Sequence, residues 1–177
     1  YLVLVKMGYL YKLPKIAMSL NELIFFITYK CNFRCNTCFY VDVMNDKNST
    51  NNEELKIDEI TKISSSLGKL NNLFISGGEP FLRKDLAEIC ETFYLQNKIH
   101  NISLPTNGFY TKEIFNTTRK ILDKCPKINL TIAFSLDGLE KTHDKIKGVK
   151  GSFQKTVESI KKLSLLKKEF NNLSLSI

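Results

Sequence analysis

The sequence predicts an α/β protein in which a parallel sheet is covered by helices. Two observations carry this. Apolar runs of strand length recur at Leu23 to Thr28, Leu73 to Ser76, Ile102 to Leu104, Leu130 to Leu136 and Leu173 to Ile177. These runs are near-continuous rather than alternating, which is how strands buried on both faces read. Segments with apolar residues three and four apart lie between them, and a strand-helix-strand alternation builds a parallel sheet.

Each helix is marked by its own stripe. The first has Ile60, Ile63, Leu67 and Leu70; the second Leu86, Ile89 and Phe93; the third Ile114, Phe115, Thr118, Ile121 and Leu122. The last has Phe153, Val157, Ile160, Leu163, Leu166 and Phe170, and all four stripes follow the helical period. In such a fold every strand-to-helix loop falls on one edge of the sheet, where ligands bind. The conspicuous motifs collect there: "TYKCNFRCNTC" after the first strand, "SGGEP" after the second, "PTNG" after the third and "SLDG" after the fourth. The polar stretch "NDKNSTNN", Asn45 to Asn52, reads as a mobile excursion after the cysteine loop.

With 177 residues and 43% hydrophobic composition, the chain can build one substantial core without disulfides or a structural metal. Five cysteines are an odd number, three of them are too tightly spaced for a pairing framework, and no signal segment opens the sequence. A reducing, cytoplasmic setting is expected. No apolar run approaches the roughly 20 residues of a membrane span. The net charge of +8 comes from lysines spread over helical segments, so solvated helix faces explain it better than a nucleic-acid footprint. The chain opens on Tyr1 and stops within a strand-like segment, so it is expected to be part of a longer protein.

Cys31, Cys35 and Cys38 are the chemical centre of the sequence. A structural zinc site closes with four ligands, whereas three thiolates leave one coordination position open, and an open position implies chemistry. An iron–sulfur cluster held by three cysteines would likewise keep one iron free. Cys35 and Cys38 alone form a CxxC suited to thiol exchange, but that reading gives Cys31 no role. A non-enzymatic Zn or Fe–S module that binds nucleic acid would leave "GGEP" and "SLDG" unused. In "GGEP", Gly77 and Gly78 let backbone approach a ligand, Glu79 supplies a carboxylate for an ammonium guest, and Pro80 fixes the turn. Thr106 and Asn107 in "PTNG", and Ser135 and Asp137 in "SLDG", offer short polar side chains at strand ends, suited to a carboxylate or ribose hydroxyls.

These four motifs, in this order, resemble the radical S-adenosylmethionine superfamily from about residue 23 onward. The stretch "SLDGLEKTHDKIKGVKGSFQKTVESIKKL" is most similar to the branch with SPASM or twitch extensions. The resemblance implies a partial parallel (β/α) barrel with about five of six βα units. Residues 1–22 would be an N-terminal extension and 23–177 the core, cut before its last strand and followed by a C-terminal auxiliary domain. It implies that Cys31, Cys35 and Cys38 hold a [4Fe–4S] cluster whose fourth iron is chelated by S-adenosylmethionine. One electron would then cleave the sulfonium to methionine and a 5′-deoxyadenosyl radical that abstracts hydrogen from substrate. Gly77, Gly78 and Glu79 would receive the methionine amine, with Pro80, Asn107 and Asp137 beside them and Thr106 and Ser135 as further cofactor contacts. Substrates would be a peptide or protein, or a small molecule as in molybdenum-cofactor biosynthesis; a flavodoxin or ferredoxin would donate electrons.

Two positions depart from the pattern. Thr37 stands where relatives carry an aromatic residue or histidine near the adenine, leaving Phe39 or Tyr40 as substitutes. Lys147 stands where relatives carry arginine, and an ammonium lacks the guanidinium fork. Cys90 and Cys125 are expected to be small buried thiols. His100 is placed on the edge away from the motifs, and His143 is read as a loop-ordering or capping residue.

Overall fold

The computed structural model describes residues 2–4, 20–39, 41–42 and 54–177. The 45–52 excursion and most of the 1–22 extension lie outside the described residues. Among the described residues six strands form one sheet in the order of the sequence: β1 (Leu2–Leu4), β2 (Glu22–Thr28), β3 (Asn72–Gly77), β4 (Asn101–Thr106), β5 (Asn129–Phe134) and β6 (Leu173–Ser176). Every neighbouring pair is parallel. The five expected strands are therefore present, and Leu2–Leu4, assigned to the extension, adds a sixth beside β2. Among the described residues β1 and β6 are the edges, so the barrel is open and β6 is paired on one side only.

Among the described residues the bounded helices are α1 (Ile57–Leu67), α2 (Leu86–Asn97), α3 (Thr111–Lys124), α4 (Glu140–Lys147) and α5 (Ser152–Leu166), with a 3₁₀ turn at Pro80–Leu82. Two differ from expectation. Helix α4 covers "EKTHDKIK", which carries no apolar stripe, and its buried residues are His143 and Lys147. Along the first turns of α5 the buried face is Ser152, Thr156 and Ser159 rather than Phe153, Val157 and Ile160, which are only partly buried. Apolar packing resumes at Leu163 and Leu166.

The core lies between the sheet and the helices. Leu23, Phe25, Leu73, Ile75, Ile102, Leu104, Leu130 and Ile132 supply the strand side; Ile60, Leu86, Ile89, Phe93, Ile114, Ile121 and Leu163 supply the helix side. Cys90 and Cys125 are buried there as small apolar groups. Burial raises the Cys90 thiol well above its ordinary value and pushes that of Cys125 up to about 12, which leaves both inert as nucleophiles.

The amino ends of the strands are tied by amides. Asn72 Nδ2 donates to Glu22 Oε1 at 2.9 Å, Asn101 Nδ2 to Asn72 Oδ1 at 2.9 Å, and Asn129 Nδ2 to Asn101 Oδ1 at 3.0 Å. Each donor opens its strand, and the three are register partners. His100, exposed just before β4, lies at this end as expected, and its carbonyl accepts from Asn129 N.

A second amide joins α1 to α2. Asn97 is fully buried; its Nδ2 donates to Ser64 O at 2.9 Å and Gly68 O at 2.5 Å, and its Oδ1 accepts from Ser64 Oγ. Replacement by leucine should strand both carbonyls, costing about 2–3 kcal/mol. Urea unfolding should show this as a lower midpoint with unchanged slope.

Candidate cofactor site

Parallel strands deliver four loops to the carboxyl edge, and hydrogen bonds between the loops, rather than contacts to the core alone, fix how they meet. The cysteine loop leaves β2 and is pinned at four points. Phe33 is buried and packs edge-on against Phe109 at 5.4 Å. Arg34 donates to Cys31 O at 2.9 Å and Phe33 O at 2.8 Å. Asn36 N donates to Ile146 O, in the last turn of α4, at 3.1 Å. Asn107 Nδ2 donates to Asn32 Oδ1 at 2.8 Å.

Cys31, Cys35 and Cys38 are half-buried free thiols on this loop. Burial raises the Cys31 thiol, and the charges of Glu79, Cys35 and Cys38 add to the rise. Cys35 is likewise raised by burial, partly offset by the Lys147 ammonium. The three sulfurs thus sit within one another's field. Among the described residues no three His, Cys, Asp or Glu side chains gather around a single-ion position. The donor set is soft thiolate on an accessible loop, which suits iron–sulfur ligation with one cysteine per iron.

The "GGEP" loop meets the cysteine loop backbone to backbone. Gly78 N donates to Thr28 O and Glu79 N to Lys30 O, both at 2.8 Å. A Cβ on Gly77 would lie 2.3 Å from Thr28 O, and one on Gly78 2.2 Å from Lys30 O. The sequence predicts that these glycines leave room for a ligand; the room they leave is occupied by the entry to the cysteine loop. Gly77 also has φ +131°, a conformation that favours glycine.

Glu79 is buried, and its carboxylate accepts three hydrogen bonds: from Phe81 N at 3.2 Å, Thr106 Oγ1 at 3.0 Å and Asn107 N at 2.7 Å. It caps the 3₁₀ turn opened by Pro80 and latches the "PTNG" loop to the "GGEP" loop. Burial outweighs these donors and pushes its pKa up to about 7. Thr106 Oγ1 accepts from Gly108 N, and Asn107 Oδ1 from Phe109 N. The hydroxyl face of α5 supports this loop from behind: Thr156 Oγ1 lies 2.8 Å from Asn107 O, and Ser159 Oγ donates to Gly108 O at 2.6 Å.

In the fourth loop Ser135 is exposed and its N–H donates to Thr106 O at 2.9 Å. Asp137 pairs with Lys147 at 2.5 Å, and its N–H donates to His143 Nδ1 at 3.1 Å. His143 therefore does order the loop, but from a fully buried place on α4. Burial and the Lys147 charge hold its pKa below the ordinary value. Lys147 is buried at the same junction. Thr37 and Phe39 are exposed, and Tyr40 lies outside the described residues.

Sequence reasoning missed three supports. Asn32 lies within the cysteine motif at a position that the motif leaves without a role, and the hydroxyls of α5 carry no motif. Arg83 is buried and donates to Ile27 O at 2.8 Å, Leu55 O at 3.0 Å and both oxygens of Asp85, joining β2, the segment that leads into α1 and the 3₁₀ turn.

An open parallel sheet with a three-thiol loop and three polar loops gathered at its carboxyl edge defines a cofactor-binding α/β protein. Residues 25–173 match the radical SAM superfamily, and the chain belongs to it. Members of this superfamily use a [4Fe–4S] cluster and S-adenosylmethionine. Among curated relatives, a GTP 3′,8-cyclase of Staphylococcus epidermidis is 34% identical over 103 residues, covering 56% of this chain and 30% of the relative. A GTP 3′,8-cyclase of Haemophilus ducreyi is 31% identical over 155 residues, covering 81% and 44%. An Fe-coproporphyrin III synthase of Methanosarcina barkeri is 30% identical over 138 residues, covering 76% and 31%. The chain thus spans less than half the length of these relatives. Two solved structures share the fold: anSMEcpe with bound AdoMet, at TM-score 0.61 and 18% identity over 88% of this chain and 42% of that one, and Streptococcus suis SuiB, at TM-score 0.57 and 23% identity over 85% and 31%.

Proposed function

We propose that the protein is a radical S-adenosylmethionine enzyme whose cluster is held by Cys31, Cys35 and Cys38. The observation that supports this best is the convergence of the three-thiol loop with the "GGEP", "PTNG" and "SLDG" loops on one edge. When bound, the cluster and cofactor supply reductive cleavage of the sulfonium, giving a 5′-deoxyadenosyl radical that takes hydrogen from substrate. The chain's own residues bind and orient. Gly77 and Gly78 seat the "GGEP" loop on the cysteine loop, and Glu79, beside Pro80, offers a buried carboxylate to the methionine ammonium. Thr106, Asn107, Ser135 and Asp137 supply short polar contacts for the carboxylate and ribose, and Phe39 is the described aromatic residue closest in sequence to the third cysteine for the adenine.

The substrate is read as a peptide or protein, on the resemblance of the Ser135 to Leu163 stretch to the SPASM-type branch. The relatives named GTP 3′,8-cyclase support a second reading, a small molecule. Residues 23–177 act as the core of a longer cytoplasmic enzyme, and a flavodoxin or ferredoxin supplies the electron. Among the described residues no helix is long and apolar enough to cross a membrane.

Anaerobic reconstitution with iron and sulfide should give one cluster per chain, visible in the thiolate-to-iron absorbance, and dithionite should then drive S-adenosylmethionine to 5′-deoxyadenosine. Replacing all three cysteines by alanine should remove both. Cluster retention at the wild-type level in that variant would sink the assignment. Cluster-binding cysteines in the sequence beyond residue 177 would favour the peptide reading.

A further inference from the structure

The side-chain amide of Asn32 can be oriented without ambiguity, and its orientation leaves a donor spare. Phe109 N–H donates to Asn107 Oδ1 at 3.0 Å, which fixes the Asn107 amide and makes its Nδ2 the group that faces Asn32. Asn32 must then meet it with Oδ1, because two amide nitrogens cannot pair. Its own Nδ2 is buried and has no partner among the described residues. A buried N–H2 left unpaired costs free energy comparable to a lost hydrogen bond, so such groups await an acceptor. This one belongs to the residue next to Cys31, whose Sγ already receives Phe33 N–H at 3.4 Å.

We propose that Asn32 is a positioning residue with two functions, an inference that rests on the cofactor reading above. Through Oδ1 it latches the cysteine loop to the "PTNG" loop. Asn107 in turn donates its backbone N–H to Glu79, so three loops are joined in one chain of hydrogen bonds. Through Nδ2 it donates to an electron-rich acceptor that arrives with the cofactors, either a sulfur of the cluster or a carboxylate oxygen of S-adenosylmethionine. Hydrogen bonds to cluster sulfurs raise the reduction potential, because they stabilise the more negative reduced state. Partners that orient ligands in this way change affinity by about tenfold or more.

The test uses Asn32→Leu, which keeps size and removes both bonds, and Asn32→Asp, which keeps the acceptor facing Asn107 and removes the donor. Iron and sulfide content, the midpoint potential followed by EPR without S-adenosylmethionine, and the affinity for S-adenosylmethionine are measured for wild type and both variants. A donor to cluster sulfur predicts a more negative potential in both variants before cofactor is added. A donor to S-adenosylmethionine predicts an unchanged potential in the leucine variant and about tenfold weaker binding in both. If the leucine variant loads its cluster and matches wild type in potential and affinity, Asn32 is a structural residue and the proposal is overturned while the cofactor reading stands. Failure of the wild type to load a cluster would overturn both. Should the leucine variant not fold, wild-type potential and affinity in the aspartate variant would overturn the proposal in its place.

Discussion

Alanine or valine at Gly78 is expected to unfold the cofactor edge before any cofactor is present. The first atom of either side chain would lie 2.2 Å from Lys30 O and 2.6 Å from Lys30 C. These are backbone atoms that cannot swing aside, and they belong to the turn that leads into Cys31. Relief requires the two loops to part, breaking the Gly78 N to Thr28 O and Glu79 N to Lys30 O bonds. Overpacking against fixed backbone, with two bonds lost, should cost about 3 kcal/mol or more. For a chain of this size that lowers the melting temperature by about 10 °C. The comparison of the two variants is informative. Were the glycine keeping space for S-adenosylmethionine, alanine would leave the cofactor-free protein at its wild-type melting temperature and valine would weaken binding only. If the space belongs to the cysteine loop, alanine already lowers thermal stability and abolishes cluster loading. A wild-type melting temperature for Gly78→Ala would refute the backbone account.

Glu79→Gln should be far from conservative. The carboxylate faces N–H or O–H groups on both oxygens, so a glutamine NH2 must point at a donor whichever way it turns. Its best arrangement keeps oxygen on Asn107 N and strands Phe81 N–H, at about 1–3 kcal/mol. The effect depends on pH, with a sign set by burial. The folded pKa of Glu79 is raised, to about 7 from an ordinary 4.5, so the folded protein holds the proton more tightly than the unfolded chain. That contribution to stability is fully present below about 4.5 and is lost as pH rises through about 7, on the order of 3 kcal/mol in all. Wild-type protein without cofactor should therefore lose stability across this window while the glutamine variant, lacking the group, should not. The gap between them should narrow as pH rises. Denaturant unfolding from pH 5 to 8 measures it, and parallel curves for the two proteins would show that Glu79 does not titrate in this range.

Strands and motif loops are legible in the sequence because their signals are local. An apolar run such as Leu130 to Leu136 marks its strand, although burial alternates along it with only Leu130, Ile132 and Phe134 buried, and a parallel sheet puts every following loop on one edge. Helix α4 is not legible, because its single apolar residue, Ile146, gives no period and its buried residues, His143 and Lys147, are polar types that usually face water. The buried face of α5 is hidden for a related reason. Ser152, Thr156 and Ser159 are inside because their hydroxyls find partners there, Ser152 the Asp144 carboxylate and Thr156 and Ser159 the backbone of the loop after β4, and hydrophobic periodicity does not register hydroxyls. Gly77 and Gly78 stand out correctly but for another neighbour, since a sequence shows that a position needs space without showing what fills it. Asn32 is the extreme case. Its meaning depends on Asn107, 75 residues away, whose own orientation depends on Phe109.

The amide row along the amino ends of the strands works as a common baseline. Asn72, Asn101 and Asn129 sit side by side on it, and β3, β4 and β5 each run six residues from it. At about 3.3 Å per residue each climbs roughly 20 Å, and Thr106 ends level with Phe134, whereas β3 and β4 are paired only as far as Phe74 and Ser103. Strand β2 starts opposite the same line, with Glu22 against Asn72, but is seven residues long; a register shift between Phe26 and Thr28 absorbs the surplus, and Thr28 finishes level with Gly77. The floor of the cofactor site is set by these paired strand ends, β2 with β3 and β4 with β5. A single residue inserted into β3, β4 or β5 would raise one corner of that floor by about 3.3 Å, more than a hydrogen bond can stretch, and would turn the following side chain to the opposite face of the sheet.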